Sequence, residues 1–169
     1  RFDDLLKFAK KHNMKIASIE DLISYRLKNE KFIFKILNKK IKIKKIGSFS
    51  LSIFKNKLDG LQHYALSKGV FNPKKSARVR VISVNIEKEI EKLDNNLYLN
   101  SLKYLSKYNN FLLIVIKNQN TKSTNDGAVK STNILRYYGI GAQIIKDFKI
   151  KNMVLVSRSR KKIIGLDGY

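Results

Sequence analysis

Six consecutive apolar residues, Phe111-Leu112-Leu113-Ile114-Val115-Ile116, stand between the polar pairs Asn109-Asn110 and Lys117-Asn118. The run has the length of a strand and no polar side. It is therefore read as a strand buried on both faces. Such a strand needs one hydrophobic layer above it and another below it, which limits the chain to a layered architecture.

The rest of the sequence supplies those layers. Apolar and basic residues roughly alternate from Phe32 to Ile46, most clearly at Ile41-Lys42-Ile43-Lys44, and predict a first strand closed by Gly47. Phe49, Leu51 and Ile53 alternate with serines in a second strand. After a turn over Asn56 to Gly60, Leu61 to Leu66 is a third, and Arg78 to Val84, beyond Pro73, is a fourth. Ile86, Ile90 and Leu93 share one face of a short helix, and Ser101 to Tyr108 forms another. Asn118 to Asp126 is polar and loop-like. A helix resumes near Ser131 with Ile134, Leu135, Tyr138, Ala142, Ile145 and Phe148 as its apolar side, and Met153 to Val156 is a last buried strand. Strand, helix and strand in that order predict a βαβ unit. The fold class is thus α/β, a layered mixed β-sheet with flanking helices.

A short helical linker precedes the sheet. Leu5, Leu6, Phe8 and Ala9 predict a helix to about Lys11, broken at His12-Asn13. Ser18-Ile19-Glu20-Asp21 reads as a capping box, continued by Leu22, Ile23, Tyr25, Arg26 and Leu27. The expected division is a linker over residues 1–30 and a domain over 31–169. The chain opens on Arg1 without an initiator methionine and is read as a piece of a longer protein.

Composition narrows the chemistry. With no cysteine in 169 residues, disulfides, thiolate metal sites and a cysteine nucleophile are all excluded. That composition fits a cytoplasmic protein. No apolar run approaches the ~18 residues of a membrane-spanning helix, so no membrane partner is expected. The net charge of +23 admits a polyanion such as RNA. It equally follows from a lysine-rich composition set by A+T-rich codons. Lysine greatly outnumbers arginine, whereas nucleic-acid readers lean on arginine forks and aromatic platforms, which favours the second reading.

Three segments resemble known proteins. Phe8 to Ile16, followed by Ile19-Glu20-Asp21-Leu22-Ile23-Ser24-Tyr25-Arg26, is similar to the closing segment of 3,4-dihydroxy-2-butanone 4-phosphate synthase. In fused proteins that segment leads directly into GTP cyclohydrolase II. His63 to Gly69 and Arg80-Val81-Ile82-Ser83 resemble the early strands of GTP cyclohydrolase II. Leu135-Arg136-Tyr137-Tyr138-Gly139-Ile140-Gly141-Ala142-Gln143-Ile144, continuing to Lys161 through Tyr169, resembles that family's C-terminal helix, strand and loop. Tyr-Gly-Ile-Gly-Ala-Gln is the most specific of these strings.

The resemblance implies a riboflavin-biosynthesis enzyme that hydrolyses GTP with release of formate and pyrophosphate. A zinc ion held by three cysteines activates the attacking water in that family. Its motif resembles Arg-Val-His-Ser-Glu-Cys, with a Cys-Asp-Cys pair soon after. The matching positions here read Arg80-Val81-Ile82-Ser83-Val84-Asn85, so Asn85 stands where the first zinc ligand belongs. His12 and His63 are the only histidines, and both are assigned structural roles. Glu87, Glu89 and Glu91 read as a solvated helix face rather than as substitute ligands.

The nucleotide clamp is altered as well. The family carries Arg-Gln-Glu-Gly-Arg after its buried strand, where this chain reads Lys117-Asn118-Gln119-Asn120-Thr121. A carboxylate accepts both guanine N–H donors, whereas the amide at Gln119 offers one acceptor oxygen. The chain also reaches the next motif early, as if a segment covering the pocket were deleted. Of the family's Asp-x-Arg only Arg136 remains. Ser157 and Lys162 match positions that help hold GTP. The resemblance therefore leaves Lys117, Gln119, Arg136, Ser157 and Lys162 as remnant nucleotide- or phosphate-binding residues, with no metal in this domain. Gly139, Gly141, Gly165 and Gly168 are assigned to packing and turns.

Three functions follow in order. The first is a domain without zinc-dependent hydrolysis that supports the attached synthase, through homodimer contacts, stability or control. The synthase itself is expected to use magnesium, with active-site residues outside this chain. The second is a surviving enzyme or phosphate-binding site, and the third is a basic RNA-binding module.

Overall fold

The structure is a computed structural model that describes residues 2–17, 21–22, 25–26, 29–85, 97–118 and 127–158, with the side chains of 127–136 outside that description. The capping box at Ser18, the helix around Ile86 to Leu93, and the segment from Lys161 to Tyr169 thus lie outside the described residues.

Among the described residues the elements run α1 (Phe2–Lys11), β1 (Ile33–Ile43), β2 (Gly47–Asn56), β3 (Gln62–Lys68), β4 (Ala77–Val84), α2 (Leu97–Leu105), β5 (Phe111–Lys117), α3 (Gly127–Asp147) and β6 (Met153–Leu155). The strands form one mixed sheet in the order β1-β2-β3-β5-β4-β6. β1, β2 and β3 run antiparallel as a meander, and β3 pairs antiparallel with β5. β4 is parallel to both its neighbours, β5 and β6.

The apolar run becomes β5, and its first six residues are all buried. Leu112, Ile114 and Ile116 join one core cluster with Val79 of β4 and with Ile140 and Ile144 of α3. Phe111, Leu113 and Val115 join a second cluster with Ile82 and Val84 of β4 and with Leu102 and Leu105 of α2. A period of two thus divides one strand between two cores. The topology explains the sides taken by the helices. From β4 the chain moves one way to β5, and from β5 it reverses past β4 to β6. Right-handed crossovers moving in opposite directions must use opposite faces of the sheet.

Several sequence boundaries shift. β1 ends at Ile43, because Lys45 (φ 66°) and Gly47 (φ 136°) turn the chain back into β2. β3 runs on to Lys68. It ends at Gly69, whose φ of +84° and close approach to the Asn109 carbonyl would place a Cβ 2.3 Å from that oxygen. α2 lies earlier than expected, over Leu97–Leu105 rather than from Ser101 to Tyr108. α3 begins at Gly127, before Ser131, since polar residues are no barrier to a helix's first turns. Ala142 of the predicted apolar side is buried, but the buried Ile140 and Ile144 were not on that side, and Tyr138 and Ile145 line a pocket. β6 is not a buried strand: it closes the sheet edge, with Val154 50% and Leu155 36% exposed. Among the described residues its open side lacks the second neighbour that makes β5 a core strand.

Within the linker, α1 forms as predicted, and Asp21, Leu22, Tyr25, Arg26 and Asn29 are helical. α1 buries only Ala9, while Phe2, Leu5, Leu6 and Phe8 are exposed.

Ile114 is fully buried at the centre of β5. Ile114→Ala is expected to lower unfolding free energy by about 3 kcal/mol, read from the midpoint of urea denaturation at unchanged slope.

Candidate functional site

The carboxyl ends of parallel strands are where an open α/β sheet leaves a crevice, above all where successive connections diverge to opposite faces. Here that point lies between β4 and β5. Asn118 N–H donates to the Val84 carbonyl (2.8 Å) and closes the two strand ends together. Asn85 follows β4 at this mouth and is partly buried. The Tyr137 hydroxyl of α3 donates to the Asn118 side-chain oxygen, so the helix is tied to the same point.

A pocket of about 290 Å³ opens on the other side of β4, where β6 stops early. β6 pairs only with Ala77, Arg78 and Val79. A single further bond, Val156 N–H to the Val79 carbonyl (2.8 Å), continues the edge. On that side, among the described residues, Arg80 to Ser83 have no strand beside them, and Tyr137, Tyr138 and Gly141 of α3, Leu97 of α2, and Val156 to Arg158 wall the space. Most of the lining is apolar; Arg80, Ser83, Ser157 and Arg158 supply its polar groups.

Arg80 is held from two sides. Its Nε donates to Ser101 Oγ (2.7 Å) and one terminal nitrogen to the Val156 carbonyl (3.4 Å). Ser101 Oγ in turn donates to the Leu97 carbonyl (2.6 Å), which places the acceptor. Burial, and then the like charge of Arg158, lower the Arg80 pKa from its ordinary value. A guanidinium stays charged under such a shift. The result is a positive charge partly withdrawn from water at the pocket wall.

Of the five residues the sequence grouped, Ser157 and Lys117 have described side chains, and these two lie apart. Ser157 lines the pocket. Arg136 is one residue ahead of the wall residue Tyr137 in α3, with its side chain outside the description. Lys117 ends β5 on the far side of β4, half-buried and not part of the pocket lining. Its backbone N–H donates to His63 Nδ1 (3.2 Å). His63 is fully buried, and this bond requires an unprotonated Nδ1, which fits the structural role expected of it. Gln119 and Lys162 lie outside the described residues. Gly139 and Gly141 are interior to α3 rather than in turns, while Gly165 and Gly168 lie outside the described residues. The sequence reading missed Arg80 as a pocket residue, although an arginine between Val79 and Val81 on a core strand was the available clue.

Two positions of the Arg80 to Asn85 segment, Ile82 and Val84, belong to the core, and Asn85 does not. Ile82 and Val84 are 5% and 7% exposed and pack in the cluster of Leu102 and Leu105. Neither side chain can donate to a metal. The chain contains no cysteine, and among the described residues no three of His, Cys, Asp and Glu come together. This donor set does not fit a zinc ion. Among the described residues no helix is long and apolar enough to cross a membrane.

Comparison with known proteins converges on the same fold. The family model for GTP cyclohydrolase II matches residues 35–169. The chain is 29% identical to riboflavin biosynthesis protein RibBA of Aquifex aeolicus, over 100% of this chain and 47% of the relative. It is 30% identical to 3,4-dihydroxy-2-butanone 4-phosphate synthase of Photobacterium phosphoreum, over 96% of this chain and 48% of the relative. The crystal structure of RibBX, a two domain 3,4-dihydroxy-2-butanone 4-phosphate synthase from A. baumannii, superposes with a TM-score of 0.71 at 27% identity, covering 100% of this chain and 47% of that one. The chain spans about half the length of the relatives it matches.

Gly141 packs against Val81, where an added Cβ would meet the valine methyls at 3.6 and 3.7 Å, ordinary contact distances. Gly141→Ala is expected to raise stability by about 0.5–1 kcal/mol through helix propensity, measured as a higher thermal midpoint.

Proposed function

The chain belongs to the GTP cyclohydrolase II family, and from that membership we propose that it is a family domain without zinc-dependent GTP hydrolysis, serving an attached 3,4-dihydroxy-2-butanone 4-phosphate synthase. One observation carries the reading: the counterparts of the family's histidine and glutamate are core residues, Ile82 and Val84, in a chain with no cysteine. Water of ordinary acidity supplies almost no hydroxide near neutral pH, so loss of the ion removes the nucleophile. The core role of the replacements also explains how the scaffold survives the loss. An apolar side chain facing Leu102 and Leu105 stabilises the sheet–helix contact that a buried ligand would weaken.

The relatives support the attached synthase. They are about twice as long as this chain, and two of those named are synthases by description. The exposed Phe2, Leu5, Leu6 and Phe8 of α1 form an apolar face that such a body would cover. Synthase chemistry, with its expected magnesium, would reside in that body, and this domain would contribute stability, homodimer contacts or control.

A second reading rests on the pocket. Arg80 and Arg158 share one wall, and two like charges in a small cleft favour an anionic ligand. Ser157 adds a hydroxyl, so binding of a phosphate or nucleotide without turnover is compatible with the first reading.

Two measurements separate these readings. With GTP as substrate, formate release is expected at the uncatalysed level, and elemental analysis is expected to find no stoichiometric zinc. Release at ordinary enzyme rates, on the order of 1 s⁻¹ or faster, would overturn the proposal. Calorimetry with GTP, GMP and ribulose 5-phosphate tests the pocket. Heat that Arg80→Met abolishes supports the second reading, and silence for all three ligands removes it.

A further inference from the structure

Gln143 closes the family-like string Tyr138-Gly139-Ile140-Gly141-Ala142-Gln143, yet it faces away from the pocket. Its side-chain oxygen accepts two successive backbone N–H groups, from Phe32 (3.0 Å) and Ile33 (3.2 Å). Its side-chain nitrogen donates to the Glu30 carbonyl (2.8 Å). One carboxamide thus holds three backbone groups of the segment where the linker meets β1, more than 100 positions away in sequence. Phe32 and Ile33 are 8% and 3% exposed, so their N–H groups are shielded from water and depend on a protein acceptor.

Other ties surround this contact. The Phe32 carbonyl accepts from Lys57 N–H (2.8 Å), and the Arg26 guanidinium lies over the Phe32 ring at 5.3 Å. One turn beyond Gln143, Asp147 pairs with Lys35 of β1 (2.5 Å), whose ammonium also sits 4.9 Å from the centre of the Phe148 ring. The same helix lines the pocket with Tyr138, Gly141, Ala142 and Ile145.

We propose that Gln143 is an interdomain lock: it fixes the residue 30–33 segment on α3 and so sets the direction in which the preceding chain leaves the sheet. This deepens the supporting role proposed above and names the contact through which that support is transmitted. The carboxamide supplies both functions, and its two nearest relatives in shape do not. Glutamate accepts from both N–H groups but cannot donate to the Glu30 carbonyl, and leucine does neither. Because the lock reads backbone, side chains at 30–33 can change while the contact persists.

Hydrogen exchange on the whole chain tests the lock, with β5 amides as the reference for an intact fold. In Gln143→Leu, exchange at the Phe32 and Ile33 amides is expected to accelerate about 10- to 100-fold while β5 stays protected. Tryptic cleavage after Lys31 is expected to rise about tenfold in step. In Gln143→Glu, the two amides are expected to stay protected while cleavage after Lys31 rises, since only the donor is lost. Unchanged exchange and cleavage in a folded Gln143→Leu would overturn the lock. Should that variant fail to fold, unchanged cleavage in Gln143→Glu would overturn it instead. Formate release from GTP would sink the supporting role and leave the lock standing, so the two failures are distinguishable.

Discussion

β5 must be covered twice, and that requirement organises the molecule. Phe111, Leu113 and Val115 need one hydrophobic layer, and Leu112, Ile114 and Ile116 need another. Burying side chains such as these contributes roughly 1.5–3 kcal/mol each, so a single-layer arrangement would forfeit a large share of the core. α2 answers one face and α3 the other, on either side of a strand order that reverses at β4. The crevice between the ends of β4 and β5 follows from that reversal. The pocket beside β4 has a separate origin, in a last strand too short to cover its neighbour.

Under the reading proposed above, this frame lets a catalytic site be lost without losing the domain. The residues that would face the chemistry are carried on β4, the strand between β5 and β6. One face of its second half packs on α2, so apolar residues there improve burial where polar ones would cost it. Arg80 shows the limit of that process. It has been retained on the same face as Ile82, and its presence requires the acceptors Ser101 and Val156. A charge kept partly out of water with two neutral hydrogen-bond partners and a second arginine nearby costs stability that packing alone would not demand. That cost is the physical argument for an anion at the pocket.

The large features were legible in the sequence because they have a period. The double burial of β5, the alternation in β1 and β2, and the helix–strand order at the C-terminal end are all properties of spacing. The misreadings fall where spacing is silent. Met153 to Leu155 is as apolar as a core strand, yet nothing local says that its outer side has no neighbour. Ile140 and Ile144 escaped because α3 serves two surfaces. The predicted apolar side holds the buried Ala142 and also Tyr138 and Ile145, which wall the pocket, while Ile140 and Ile144 face the sheet. Of the remnant binding residues whose side chains are described, Ser157 is placed on the pocket, and Lys117 is separated from it by the width of β4. Sequence similarity orders residues along a chain and says nothing of which side of a strand they occupy.

Gln143 is the clearest instance of that gap. In the sequence it is the end of the most family-specific string. In space the string is an amphipathic helix with three tasks: Ile140 and Ile144 enter the core, Gly141 and Ala142 line the pocket, and Gln143 turns to the linker. Residues one position apart on a helix point about 100° from each other, so a compact motif can serve three surfaces at once. Selection on any one of these surfaces would preserve the others' spacing. A motif can therefore remain recognisable after its chemistry has gone, because the residues that made it recognisable also hold the helix to the sheet and the linker to the helix.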